Sequence, residues 1–323
     1  MRRMPAFWRQ SPPLWLGWLA KPATQLYQLG YKLRRRFTRT WTPPLPVICV
    51  GNAITGGVGK TPVVQSLLVL LNDHGLKVHC VSRGYGGHLR GPVRVDLSDH
   101  DAYDVGDEPL LLARHAPTWV AKNRRDGIVA AHAAGADVVI CDDGLQNPTV
   151  AYACQLMVFD PLIGVGNGLL IPAGPLREPL DDLIARIDAV VCIGKAMTHP
   201  AEPHTFVVNT LNDLAELSPT QPVVAFAGIG YPEKFFHSLA IQGVHIMSKI
   251  SFPDHHPFTE EDLATLRTIQ DQYRALLVTT EKDYVRLPKA QRFDILPIPL
   301  RLEWQESPLQ FILEKIHDPR WLA

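Results

Sequence analysis

The segment Gly51-Asn-Ala-Ile-Thr-Gly-Gly-Val-Gly-Lys-Thr61 holds the clearest chemistry in this 323-residue chain. Closely spaced glycines let successive backbone amides turn toward phosphate oxygens, a lysine neutralises β- and γ-phosphate charge, and a threonine at a helix start can ligate magnesium. The run departs from G-x-x-x-x-G-K-[ST], because Ile54 stands at the first glycine position, but Gly56, Gly57, Gly59, Lys60 and Thr61 keep the cradle. Asn52, Thr55 and Val58 complete the expected nucleotide loop. The apolar run Ala136-Asp-Val-Val-Ile-Cys-Asp142-Asp143 ends in two acids, as does the magnesium-holding strand of P-loop enzymes. Asp142 is therefore the candidate metal ligand beside Thr61, with Asp143 next to it as a catalytic candidate. ATP and Mg2+ are the expected cofactors.

Further candidates lie where strand-like runs give way to loops. Ser82, Arg83 and Tyr85 end the second such run, and Gln146 lies just beyond Asp143, so all four are expected at the same sheet edge as substrate-binding groups. Lys122 and Arg124 follow another run and are additional phosphate-binding candidates, against the plainer reading of solvated charge. Arg177 and Glu178 follow a Pro/Gly-rich loop with no apolar period, which leaves them free to reach a site. There Arg177 would stabilise phosphate charge and Glu178 would place magnesium or water, against the equally weighted reading of a surface ion pair.

These residues need a scaffold, and the sequence writes one as short β-branched apolar runs alternating with helical patterns. The fold class expected is α/β, a P-loop NTPase-type parallel sheet flanked by helices, with a second smaller α/β domain and an N-terminal interfacial helix. The strand at 46–50 feeds the loop and the helix at 61–73 follows it. Near Leu217-Ser-Pro-Thr220 the composition turns loop-like, and a second β/α series starts at Val223. The domains expected are residues 1–40, 41–215 and 216–323.

Charge separates the N-terminal region from the rest. The whole chain is formally neutral, yet its first acid is Asp73, after ten lysines and arginines, and four of its seven tryptophans (Trp8, Trp15, Trp18, Trp41) lie in this basic segment. Apolar residues from Leu14 to Leu33 recur at helical spacing, and Arg34, Arg35, Arg36 and Arg39 follow at once. Aromatics and cations together suit an anionic membrane surface. The alternative is an arm that packs its aromatics on the protein's own core. No stretch reaches the roughly 20 apolar residues a bilayer crossing needs, and Pro12 and Pro13 interrupt any secretory signal. Nucleic acid is not an expected partner, because the basic surface is not extended elsewhere, and no protein partner is implied. Five scattered cysteines without metal-like spacing indicate a reducing compartment.

Taken in order, the blocks from Val50 to Pro62, Ser82-Arg-Gly-Tyr-Gly-Gly87, Val105-Gly-Asp-Glu-Pro109, Asp142-Asp-Gly-Leu-Gln146, Gly166-Asn-Gly168, Pro172 to Pro179, Ala227 to Phe236, Asp254-His255 and Thr280-Glu-Lys-Asp283 resemble the tetraacyldisaccharide 4'-kinases. The resemblance runs from the N-terminal arm into the second domain. It implies ATP-dependent phosphorylation of the 4'-hydroxyl of the tetraacyldisaccharide 1-phosphate precursor of lipid A. It also implies an acylated disaccharide substrate and a peripheral or monotopic place on the cytoplasmic face of the inner membrane. An alcohol acceptor must lose a proton as the phosphoryl group arrives. The resemblance makes Asp107 the candidate base and His255 its partner, brought together by domain closure; spacing does not separate His255 from His256. Two departures are Tyr231, where the family often has asparagine, and the glycine-poor segment Asp160 to Ile163. The competing class is a membrane-associated partitioning or cell-division ATPase switch, but Thr55 occupies the position of its signature lysine.

Overall fold

A computed structural model gives the architecture; it describes residues 6–9, 14–194 and 203–321, with side chains described for 7, 8 and from 20 onward. The N-terminal arm forms α1 (Ala6–Arg9) and α2 (Leu14–Phe37). The side chains of Trp15 and Trp18 lie outside the described residues. The central unit then runs β1 (Val47–Gly51), α3 (Lys60–Asp73), β2 (Val78–Ser82), β3 (Val93–Arg94), α4 (Ala102–Val105), α5 (Asp107–Leu112), β4 (Thr118–Val120), α6 (Arg124–Ala133), β5 (Val138–Asp142), β6 (Cys154–Phe159), α7 (Leu180–Ile184), β7 (Ala189–Ile193) and β8 (His204–Asn212). A smaller unit adds β9 (Val223–Ala227), α8 (Pro232–Ile241), β10 (Ile246–Ser251), α9 (Glu260–Tyr273), β11 (Leu276–Thr280), α10 (Glu281–Tyr284) and β12 (Ile295–Ile298). The chain closes with β13 (Leu300–Trp304) and α11 (Leu309–Ile316).

Nine strands form the large sheet in the order β13-β8-β7-β6-β1-β5-β2-β4-β3. All its pairings are parallel except the two edges, where β13 runs against β8 and β3 against β4. Strands β1, β2, β5 and β7 are buried at every position, as a parallel sheet covered on both faces requires. The smaller sheet, β10-β9-β11-β12, is wholly parallel. Helix α3 buries Val63, Val64, Leu67, Leu68 and Leu71, one helical stripe, in the main core.

Strand β1 lies between β5 and β6, so the chain leaves it at the point where strand order diverges, and the crevice at the strands' carboxyl ends opens there. The register that pairs Val50 with Asp142 puts the ends of β1 and β5 side by side. Loop and acids thus meet because of sheet topology, across about ninety residues of sequence.

The expected extent of the smaller domain needs correction. Residues 300–321 do not stay with it: β13 pairs with β8, from Leu300 opposite Asn212 to Trp304 opposite Val208. Ile312 and Ile316 of α11 join the main core. The chain therefore crosses between the two sheets twice, once after β8 and once between β12 and β13. The edge strand of the smaller sheet, Ile246–Ser251, follows the Gln242-Gly243 turn and is half-buried.

Candidate active site

A cavity of about 740 Å³ lies between the two sheets, lined from one side by the β1–α3 loop and Asp142, and from the other by His255 and Lys282. Gly59, at φ 83°, ends the loop, and a Cβ there would lie 2.5 Å from Ile193 Cδ1. That left-handed turn delivers Lys60 and Thr61 to the first turn of α3, where unpaired amides favour anions. Asn52 braces the loop from within: its amide donates to Ile54 O at 2.8 Å, and its Oδ1 accepts from Lys60 Nζ at 3.1 Å. Thr55 ties the loop to the Pro/Gly segment, both its amide and its hydroxyl donating to Pro175 O. The Ile54 departure has a physical reason, since its side chain is buried and its backbone bridges to Leu176.

The two acids at the end of β5 differ in environment. Asp143 sits at φ 53° and accepts from Arg177 at 2.7 and 2.9 Å, with Lys60 Nζ at 3.5 Å. Burial alone would raise its carboxyl, but the Lys60 and Arg177 charges outweigh it and hold the group well below the usual range. Asp142 is 2% exposed, and its Oδ1 has no hydrogen-bond partner. Burial, with Glu108 and Asp143 nearby, pushes its carboxyl up to about 7. The orphan carboxylate oxygen of Asp142 and the hydroxyl of Thr61, which line the same cavity, are the donors a magnesium ion would use. Among the described residues no cluster of three or more His, Cys, Asp or Glu forms a metal cage. The ion would accordingly be shared with nucleotide phosphates, as magnesium commonly is.

Across the cavity, Gly106 at φ 87° turns the chain so that Asp107 opens α5; a Cβ there would lie 2.4 Å from Tyr85 O. Asp107 Oδ2 meets Arg286 Nε at 2.9 Å, Arg286 Nη2 at 2.9 Å and His255 Nδ1 at 3.1 Å. Burial would raise this carboxyl, yet the His255 hydrogen bond and the Lys282 and Arg286 charges together hold it well below the usual range. Lys282 Nζ lies 3.2 Å from Glu108 and 3.5 Å from His255 Nε2. His255 adopts φ 59°, so two of the three non-glycine residues with positive φ among the described residues, Asp143 and His255, belong to this site. The geometry separates the adjacent histidines. His256 turns away, bonding Asp262 at 2.8 Å and stacking on Phe252.

Several expected residues arrive with altered surroundings. Glu178 is not free to place magnesium or water: it is fully buried and held by Tyr31 at 2.5 Å, Arg186 at 2.5 Å and Gln146 at 2.9 Å. Arg124 is neither a solvated charge nor an open phosphate ligand, because its guanidinium is buried and donates to the carbonyls of Asp142 and Asp143. Gln146 spans Glu178, Arg177 and Asn52 O, which makes it a strut of the loop. Ser82, Arg83, Tyr85 and Lys122 do line the cavity, Arg83, Tyr85 and Lys122 with exposed side chains, and Tyr85 meets the His255 ring edge-on at 5.9 Å. Arg286 and Lys282 were not among the expected site residues. Lys282 lay within the quoted Thr280-Glu-Lys-Asp283 block, which was a usable signal; nothing local marks Arg286.

Residues 16–317 match the family described as Tetraacyldisaccharide-1-P 4'-kinase. The chain belongs to this family. A tetraacyldisaccharide 4'-kinase of Rhodospirillum centenum is 45% identical over 315 residues, covering 94% of this chain and 93% of the relative. One of Paramagnetospirillum magneticum is 45% identical over 317 residues, covering 95% and 96%. Among solved structures, LpxK from Aquifex aeolicus in complex with ATP superposes with a TM-score of 0.77 at 26% identity, covering 93% of this chain and 99% of that one. Membership in the 4'-kinase family bears out the ATP-dependent lipid kinase expected from the sequence, acting in lipid A biosynthesis, over the partitioning-ATPase switch.

Proposed function

We propose that the Asp107–His255 pair takes the proton of the acceptor 4'-hydroxyl while Lys60 and Arg177 meet the charge of the transferring phosphoryl group; Asp142 and Thr61 would hold the magnesium ion. The observation that carries this reading is the pair itself, 3.1 Å apart, with buried Asp107 behind His255 and His255 lining the cavity that also holds the P-loop. Lys282 Nζ can only donate, so a neutral His255 facing it accepts at Nε2 and carries its proton on Nδ1, directed at Asp107. Asp107, ion-paired with Arg286, is too acidic to act as a lone base. Its part is to hold the imidazole tautomer and to stabilise the cation formed when His255 is protonated. The base role expected of Asp107 thus passes to the pair, with His255 as its cavity-facing member. Lys60, presented at the helix N-terminus, binds phosphate, and a magnesium ion held by Asp142 and Thr61 would supply further charge neutralisation.

The amphipathic α2 supports a membrane-surface reading. Leu26, Leu29, Leu33 and Phe37 lie 72%, 53%, 45% and 78% exposed at helical spacing, beside exposed Arg34 and Arg36. Among the described residues no helix is long and apolar enough to cross a membrane. We infer that this stripe rests on the anionic cytoplasmic face of the inner membrane, where the acylated substrate resides, as a peripheral or monotopic contact. Another face of the helix is turned to the protein itself, where Tyr27 and Tyr31 bond Arg177 O and Glu178 Oε2.

The test of the catalytic pair is steady-state transfer from ATP to tetraacyldisaccharide 1-phosphate in detergent micelles by Asp107→Asn and His255→Ala, alongside ATP binding. Each should lower kcat by about 10²–10⁴-fold with ATP affinity nearly unchanged. Equal loss of binding and turnover would remove both residues from proton transfer.

A further inference from the structure

We infer that Tyr27 and Tyr31 of the N-terminal helix are positioning residues for phosphoryl transfer, so that α2 is part of the catalytic framework as well as a surface contact. This rests on the kinase reading above. A continuous set of polar contacts runs from the helix to the P-loop lysine. Tyr31 Oη donates to Glu178 Oε2 at 2.5 Å, and Glu178 Oε1 accepts from Gln146 Nε2 at 2.9 Å. The same Gln146 nitrogen donates to Asn52 O at 3.0 Å, while Gln146 Oε1 accepts from Arg177 at 3.2 Å. Arg177 grips Asp143 at 2.7 Å, and both Asp143 and Asn52 Oδ1 face Lys60 Nζ, at 3.5 and 3.1 Å. One turn earlier on the same face, Tyr27 Oη donates to Arg177 O at 2.6 Å. Two hydroxyls of α2 therefore fix, from outside the sheet, the two consecutive residues that orient Gln146 and Asp143.

The burial of Glu178 makes these hydroxyls consequential. Its side chain is fully enclosed, and its Oε2 has one close donor, Tyr31, with Arg35 Nη1 at 3.9 Å. Burial, with the Glu178 hydrogen bond, pushes the Tyr31 hydroxyl up to about 12, so it remains a donor throughout the working pH range. Removing it leaves a buried carboxylate oxygen under-satisfied. The carboxylate then turns toward Arg186 or Gln146, and Gln146 cannot move without disturbing Asn52 and Arg177. A displacement of a fraction of an ångström at Lys60 or Arg177 is enough to affect a reaction whose catalysis is mostly positioning.

Tyr31→Phe and Tyr27→Phe keep the ring packing and delete only the hydroxyl. Each should lower kcat about tenfold at saturating ATP and lipid, with KM for ATP within about twofold and the thermal midpoint close to wild type. In a double-mutant cycle, Tyr31→Phe added to Glu178→Gln should slow the enzyme no further than Glu178→Gln alone, because both break one chain of contacts. Wild-type kcat in both tyrosine variants, losses that track a falling midpoint, or additive losses in the cycle would each reduce the tyrosines to anchors of the helix and overturn the inference. If the wild-type protein itself transfers no phosphate to the lipid, it is the kinase reading that fails.

Discussion

Arg286→Met tests how the two halves of the site are held together. One guanidinium serves two buried carboxylates, donating to Asp107 at 2.9 Å, Asp283 at 2.9 Å and Gly228 O at 2.9 Å; the three side chains are 6%, 4% and 0% exposed. Removing one partner of a buried ion pair costs about 3–5 kcal/mol. Here Asp107 keeps His255, and Asp283 keeps Thr280 Oγ1 and the Gly228 amide, so the lower end, about 3 kcal/mol, applies. The native Asp107 carboxyl is held below its unfolded value of about 3.9, so the stability it contributes is present above that pH and lost as pH falls through the depressed native value. Arg286→Met removes much of that depression. The deficit should be full at pH 7 and narrow as pH drops below about 4. Urea denaturation of wild type and variant at pH 7 and pH 3 measures this directly. A deficit under about 1 kcal/mol at pH 7, or one unchanged at pH 3, would refute the idea that Arg286 stabilises the protein through the Asp107 charge.

Asp142→Asn should abolish magnesium-dependent transfer while leaving the metal-free protein at least as stable at pH 8. Its native carboxyl is raised, so ionising it costs stability increasingly as pH rises from about 3.9 and fully above about 7; thermal melts without metal at pH 8 and pH 4 check the sign. His255→Ala and His256→Ala should differ in kind. The second, which loses the Asp262 bond and the Phe252 stack, should destabilise the smaller sheet by about 1–2 kcal/mol with kcat preserved, and paired melts and kinetics would show the reverse if the histidines were misassigned. Leu29→Glu with Leu33→Glu should reduce sedimentation with vesicles containing anionic lipid by more than tenfold, at about 1 kcal/mol or more per buried side chain. Undiminished binding would detach the exposed stripe from any membrane role.

The distribution of what the sequence disclosed follows from how far each interaction reaches. The loop and Asp142 could be read because a glycine-rich turn between a strand and a helix, and acids at a strand end, are local patterns. Their side-by-side placement followed from a parallel sheet, and β1–β5 pairing supplies it. Arg286 carries no local signal because its partner Asp107 lies 179 residues away at the start of α5, and an arginine three residues after an aspartate looks the same whether buried or solvated. Glu178 was misread for a related reason. Its loop has no periodicity, which suggested freedom, whereas Tyr31, 147 residues earlier, fills its bonding capacity from outside. The return of β13 to the large sheet was hidden because Pro299 alone separates it from β12, and composition does not say which sheet a strand joins. The helical spacing of the arm was plain, but only the structure separates its faces, tyrosines bonded to the protein and leucines exposed.

The most direct measurement follows labelled γ-phosphate from ATP in detergent micelles with and without tetraacyldisaccharide 1-phosphate, for wild type, Asp107→Asn and His255→Ala. A lipid product from wild type, nearly absent from both variants while each still binds ATP, is the predicted result. ATP hydrolysis at the same rate with or without the lipid, and no phosphorylated lipid, would contradict it.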